Sequence, residues 1–282
     1  MCQNHNHDNN FRIVFPGQSK SYQHRHTHSH DNMDDHEHVH YHEHGIDHDH
    51  DHHHNHDSRI IEVGKNVLQS NDIGAARNRG YFEAKEIMSV NLVSSPGSGK
   101  TSLLEKTLND LKDKMDFYVI EGDQQTSNDS DRIEAVGIPV VQINTGSLCH
   151  LESNMVYEAV KGLNPKTHSI VMIENVGNLV CPSAFDLGED HRVVIISTTE
   201  GDDKPIKYPD MFQSSDICII NKIDLLPYLN FSVEKAKEYA RRINPDIIFF
   251  EVSATSGEGM EKWYEWLLSK GKLENGEWII DN

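Results

Sequence analysis

The segment Asn91-Leu92-Val93-Ser94-Ser95-Pro96-Gly97-Ser98-Gly99-Lys100-Thr101 constrains this chain more than any other, because it suits one local structure. An apolar run leads into two closely spaced glycines, and an amphipathic stretch follows Thr101. That is the strand, loop and helix of a P-loop. The glycines let backbone N–H groups turn inward around phosphate at a helix N-terminus. Lys100 then reaches the β- and γ-phosphates and the Thr101 hydroxyl meets Mg²⁺, with Gly97, Ser98, Gly99 and Ser102 completing the phosphate-binding set. Ser94 stands where the usual pattern has its first glycine. The bland alternative is a chance glycine turn, and the register of strand, loop and helix weighs against it.

After Ile87, short apolar runs alternate with amphipathic segments. The pattern predicts strands near 89–94, 117–121, 139–143, 169–174, 192–197, 216–221 and 247–252. It predicts helices near 100–112, 128–136, 152–162, 232–243 and 258–269. Such βα alternation means an α/β P-loop NTPase fold, three layers with a mostly parallel sheet and helices on both faces. The runs Val193-Val194-Ile195-Ile196 and Ile217-Cys218-Ile219-Ile220 lack period-2 alternation, as central strands buried on both faces should. Residues 58–86 carry apolar residues at near-helical spacing, broken around Ser70 to Gly74, and read as two lead-in helices before a domain spanning 87–282.

Asn221-Lys222-Ile223-Asp224 closes one buried run, and its N-K-x-D order is the one that reads guanine. The Asp224 carboxylate can accept from guanine N1–H and the 2-amino group, whereas adenine would leave that acceptor unpaired. Ser253-Ala254 follows the next strand as a backbone contact to the base, and GTP is favoured over ATP. Glu174-Asn175-Val176-Gly177 stands where D-x-x-G is expected, placing Glu174 toward Mg²⁺ and Gly177 toward the γ-phosphate. Asp123 is a candidate for orienting the attacking water or holding Mg²⁺, and equally for a helix cap. The catalytic set is thus Lys100, Asp123 and Gly177, with no equivalent of a water-positioning glutamine.

Cys149-His150 follows one strand, and Cys181 comes four residues after Gly177. Thiolate and imidazole together suit Ni²⁺ or Zn²⁺. The alternative is small buried cysteines and a capping histidine. The proximity of Gly177 and Cys181 favours the metal reading, since nucleotide state could then move a ligand through the polypeptide. Composition adds a second metal region: 17 of the 20 histidines precede Ser58. Cys2, His5 and His7 open the chain, and His24 to His56 supply many more imidazoles. Residues 1–57 are too poor in aliphatic side chains to offset the entropy of ordering, so they read as a disordered, metal-binding arm. Formal charge is -19, of which ten acids against three bases fall before Ser58. That excess argues against a nucleic-acid partner. Four scattered cysteines do not read as a disulfide framework, and no run approaches a membrane span. The expectation is a soluble, cytoplasmic protein.

At these residues the chain resembles the hydrogenase maturation nickel-incorporation GTPases of the HypB family, a SIMIBI-class P-loop family, from about Ile87 onward. The likeness rests on the P-loop segment, Glu121-Gly122-Asp123, Cys149-His150-Leu151, Ile173 to Pro182 and Thr199-Glu200-Gly201-Asp202-Asp203-Lys204-Pro205. It implies a metal site at Cys149, His150 and Cys181, a nucleotide-dependent homodimer contacting through Leu225 and Leu229, and slow hydrolysis of GTP to GDP. Implied partners are a hydrogenase large-subunit precursor and other nickel-insertion accessory proteins. Some members open with C-x-x-C-G-C, where this chain has Cys2, His5, Asn6 and His7, a harder ligand set. Urease nickel-delivery GTPases typically carry Cys-Pro-His instead. The competing expectations are a non-catalytic nickel or zinc store, or a GTPase serving another metallocentre such as urease.

Overall fold

The computed structural model describes residues 12–14, 21–23, 56–124 and 128–270. A short antiparallel pair, β1 (Arg12–Val14) and β2 (Ser21–Gln23), precedes the long helix α1 (His56–Ala84). The domain then runs β3 (Met88–Ser94), α2 (Lys100–Leu111), β4 (Phe117–Asp123), α3 (Asn128–Ala135), β5 (Val140–Asn144), α4 (Ser153–Leu163) and β6 (Ile170–Glu174). It continues through β7 (His191–Ser197), α5 (Lys204–Lys207), α6 (Pro209–Gln213), β8 (Ile217–Asn221), α7 (Val233–Ile243), β9 (Ile248–Glu251) and α8 (Met260–Lys270). The sheet order is β2-β1-β5-β4-β6-β3-β7-β8-β9. From β5 to β9 every pairing is parallel.

The continuous apolar runs are explained by two packed faces. Val193 and Ile195 join Leu103, Leu108 and Trp263 on one side, while Val194 and Ile196 join Met211 and Phe212 on the other. All four strand residues are fully buried. At roughly 1.5–3 kcal/mol per buried aliphatic side chain, such a strand is a major contributor to the core.

Two lead-in helices were expected, and the structure has one. Ser70 to Gly74 read as a break because Asn and Gly are weak helix formers, but here they serve docking. Asn71 Oδ1 accepts from Ser153 N at 2.9 Å, and Asn71 Nδ2 donates to Asp186 O at 2.7 Å. One face further along, Asn78 Nδ2 donates to Ser153 O and Leu187 O at 2.8 and 2.9 Å. Gly74 is needed because a Cβ there would overlap Ser153 Oγ at the start of α4. Within the stretch expected to be structureless, residues 12–14 and 21–23 are strands, and β1 pairs antiparallel with β5 at the sheet edge. The rest of residues 1–55, including Cys2, His5 and His7, lies outside the described residues, and the last two residues of the expected arm, His56 and Asp57, open α1. Among the described residues no helix is long and apolar enough to cross a membrane.

Candidate functional site

The carboxyl ends of β3, β4 and β6 surround a cavity of about 480 Å³ lined by the P-loop, Glu121, Asp123, Arg132, Glu174, Gly177 and Lys222. Gly99 takes φ +90°, and a Cβ there would sit 2.5 Å from Asn221 Nδ2, so glycine is required both for the turn and for the approach of β8. Lys100 Nζ donates to Glu174 Oε1 at 2.6 Å and Thr101 Oγ1 donates to the same oxygen at 2.7 Å. Glu174 Oε2 is buried without a hydrogen-bond partner. A buried, unsatisfied carboxylate oxygen beside a hydroxyl is a hard donor set of the kind Mg²⁺ takes. Ser102 stands exposed at the cavity rim.

Asp123 lines this cavity, and Gln124 N donates to its Oδ1 at 2.7 Å. The described part of α3 begins at Asn128. Sequence reasoning gave no site role to two neighbours, Glu121, quoted only as part of the Glu121-Gly122-Asp123 motif, and Arg132. Glu121 sits opposite Glu174 in the β4–β6 register, and both are buried. Arg132, on α3, pairs with Glu105 and reaches Ser102 Oγ at 3.5 Å. Alternating strand residues usually face the core, which hides Glu121 in a pattern search; Arg132 lies in a helix whose sequence carries no motif.

The segment Asn221 to Asp224 is held to the P-loop. Asn221 Nδ2 donates to Ser98 O at 3.0 Å, and its Oδ1 accepts from Lys222 N at 2.8 Å and Ala254 N at 3.2 Å. Lys222 adopts φ 64° and donates from Nζ to Gly97 O at 2.7 Å. This places half-buried Asp224 in the first turn of the 3₁₀ segment Ile223–Tyr228, whose Ile223 N donates to Val252 O at 3.2 Å just before Ser253 and Ala254. Leu229 and Tyr228 at the end of that segment are solvent-facing, 36% and 83% exposed.

Cys149, His150 and Cys181 come together, their ligand atoms all within 4.8 Å of one another. Cys149 and Cys181 are disulfide-bonded, with Cα atoms 6.3 Å apart. Separation along the chain hid how closely the two sulfurs approach, because the loops after β5 and β6 converge only in the fold. A metal would require the dithiol form, since thiolates are the ligands. Cys218 is the free cysteine of the described residues, and full burial pushes its thiol far above the ordinary range. Burial also lowers the His150 pKa, keeping the ring neutral as a ligand must be, and raises that of Glu152. The His150 ring stacks on Phe185 at 3.8 Å.

A buried polar network joins the two regions. Asn175 Oδ1 accepts from Leu151 N at 3.1 Å and Val176 N at 2.9 Å, and Asn175 Nδ2 donates to Asn91 Oδ1 at 3.3 Å. Asn91, on the strand feeding the P-loop, donates to Glu189 Oε1 at 2.9 Å. The same oxygen accepts from Arg192 Nε, and Arg192 Nη2 donates to Phe185 O at 2.9 Å. One segment, 174–181, therefore begins on Lys100 and ends on Cys149.

Residues 88–251 match the family model described as CobW/HypB/UreG, nucleotide-binding domain. The chain is 56% identical over 209 residues to the hydrogenase maturation factor HypB of Rhizobium leguminosarum bv. viciae, covering 74% of this chain and 70% of that protein. The HypB from Escherichia coli K12 is 54% identical over 209 residues, with 74% and 72% covered. Among solved structures, HypB from Helicobacter pylori in complex with nickel superposes with a TM-score of 0.67 at 39% identity, covering 76% of this chain and all of that one.

Proposed function

The chain belongs to the HypB family of hydrogenase maturation factors, whose domain in the CobW/HypB/UreG class binds nucleotide, and from this premise we propose that it is a GTP-hydrolysing nickel chaperone for [NiFe]-hydrogenase. The observation that carries the reading is segment 174–181, which touches the phosphate end through Glu174 and the cysteine pair through Cys181.

GTP enters with its guanine against Asp224, Asn221, Lys222, Ser253 and Ala254, and its phosphates in the Gly97–Ser102 loop. Thr101 and Glu174 are the residues that would hold Mg²⁺, whose charge, when bound, neutralises β- and γ-phosphate oxygens. Lys100 leaves Glu174 for the β- and γ-phosphates, which frees Glu174 to turn toward the cation site. Gly177 offers its N–H to the γ-phosphate, and Asp123 orients the attacking water. Without a glutamine in the water-positioning place, intrinsic hydrolysis is slow.

Nickel is the cargo. Reduced Cys149 and Cys181 with neutral His150 form a three-ligand site, which Zn²⁺ also fits, and the missing fourth position permits release. Residues 1–57, with Cys2, His5 and His7 at their start, gather and buffer the metal. Nucleotide state shifts segment 174–181, changes the geometry of a homodimer that meets through Leu225 and Leu229, and passes nickel to the hydrogenase large-subunit precursor with other accessory proteins. Because the site needs thiols, the work belongs to a reducing compartment such as the cytoplasm.

The experiment compares nickel affinity and release rate with GDP and with a non-hydrolysable GTP analogue. Identical values in both states would remove the coupling. Loss of turnover in Lys100→Ala separates this reading from a non-catalytic metal store.

A further inference from the structure

The His150 ring has a neighbour on one face and at one nitrogen, and none at the other nitrogen. Phe185 covers one face at 3.8 Å, and Nδ1 looks at Cys149 Sγ across 3.8 Å. The other nitrogen, Nε2, is buried and has no hydrogen-bond partner. If Nδ1 gives its lone pair to a metal beside Cys149, the ring's proton must reside on Nε2. A buried N–H with no acceptor costs about 1–3 kcal/mol, so a ligand histidine in this pose needs a partner at Nε2.

Among the described residues, Glu152 is the carboxylate paired with His150. Its Oε1 stands 3.9 Å from His150 Nε2, about 1 Å beyond a hydrogen bond. The Glu152 main chain is anchored, because its carbonyl accepts from Met155 N at 3.0 Å and Val156 N at 3.2 Å in the first turn of α4. Its side chain occupies the N-cap position yet makes no cap hydrogen bond, so the carboxylate can turn while the backbone stays. The residue between, Leu151, is pinned through its N–H by Asn175. Backbone and ring are therefore fixed, and the closing motion is confined to the Glu152 side chain.

We infer that Glu152 is the positioning residue of the Cys149–His150–Cys181 centre, accepting from His150 Nε2–H when Nδ1 binds nickel and so holding both the tautomer and the ring plane. Carboxylates placed behind ligand histidines act this way in metal sites generally, and removing them weakens metal binding about 10- to 100-fold. Sequence gives little sign of it: an acid at the start of a helix is ordinarily explained by the helix dipole.

The inference rests on the metal reading of the three ligands, and the test separates the two. The full chain carrying Cys2→Ser, reduced, is titrated with Ni²⁺ against a chromophoric chelator. The thiolate-to-nickel charge-transfer band then reports Cys149 and Cys181 and not the histidine arm. Glu152→Ala should weaken the band-reported affinity about 10- to 100-fold. Glu152→Gln, which keeps an uncharged acceptor, should lose less. In a His150→Ala background Glu152→Ala should have no further effect, because its partner is gone. Wild-type affinity in both Glu152 variants would overturn the assignment, as would an equal loss with and without His150. A mere structural defect would lower the melting temperature of the metal-free protein in parallel with affinity, and that result also overturns it. Absence of the band in the Cys2→Ser parent would instead remove the metal centre itself, and Glu152's role with it.

Discussion

Asn175→Ala tests the link between the two sites most directly. Asn175 is 1% exposed, and its amide serves three buried groups: Leu151 N, Val176 N and Asn91 Oδ1. Truncation leaves all three unpaired in a site that excludes water. Each unsatisfied buried polar group costs about 1–3 kcal/mol, and partial relaxation puts the sum near 3 kcal/mol. For a domain of this size, about 2–4 °C of melting temperature per kcal/mol gives a fall of about 6–12 °C. Nucleotide binding should survive, because Lys100, Asn221 and Asp224 are untouched. Nickel affinity should become the same with GDP and with a GTP analogue, since the Cys149-His150-Leu151 segment is no longer tied to the end of β6. Thermal melts and nickel competition in both nucleotide states provide the readouts. A melting shift under about 2 °C with full nucleotide dependence would refute the reasoning.

Three further outcomes are expected. Asp224→Asn should weaken GTP about 10- to 100-fold and gain affinity for xanthosine triphosphate, because the amide can donate to the 2-oxo group where the carboxylate could only accept; competition binding with the two nucleotides checks this. Burial pushes the Asp186 carboxyl up, but the hydrogen bonds from Arg79 and Gly188 N outweigh it and hold the pKa below the ordinary range. A lowered carboxylate pKa stabilises the fold above the unfolded value near ~4, and that contribution is lost as pH falls through the folded value. Arg79→Ala should therefore destabilise the protein to urea at pH 7 and converge on wild type in acid, by a small amount because both side chains are over two-fifths exposed. Deleting residues 2–57 should cut nickel stoichiometry sharply while GTP turnover persists, since β1 and β2 sit at the sheet edge farthest from β9 and are separated from β6 by β5 and β4.

The sheet was legible because each strand announced itself by composition, and the P-loop by a spacing that few other structures need. What stayed hidden depended on contacts between distant segments. Ser70 to Gly74 carry every local mark of a helix break, yet Asn71 and Gly74 are spent on Ser153, and tertiary contacts outweigh propensity there. Asn91 entered the sequence reading only as the first residue of the P-loop segment; its role appears when Asn175 and Glu189 are placed on either side. Cys149 and Cys181 were found as ligand types, but their pairing could not be read across 32 residues of sequence.

The strand order explains why two chemistries share one edge. β6 lies between β4 and β3, so its carboxyl end is flanked by the P-loop on one side and by Glu121 to Asp123 on the other. β5 follows one place beyond β4, and the loop leaving it returns Cys149 toward the segment that leaves β6. On the opposite side β8 brings Asn221 to the P-loop across β7. Along the carboxyl edge the order is therefore cysteine pair, switch segment, phosphate loop, guanine reader. In that order a shift of Glu174 when Lys100 changes partner has a short covalent route to Cys181 and a hydrogen-bonded one, through Asn175, to Leu151. Both routes end at Cys149, His150 and Cys181 and leave β8 out, so under the proposed function Asn221 to Asp224 would set which nucleotide binds, while the phosphate end would act on the three metal-ligand candidates.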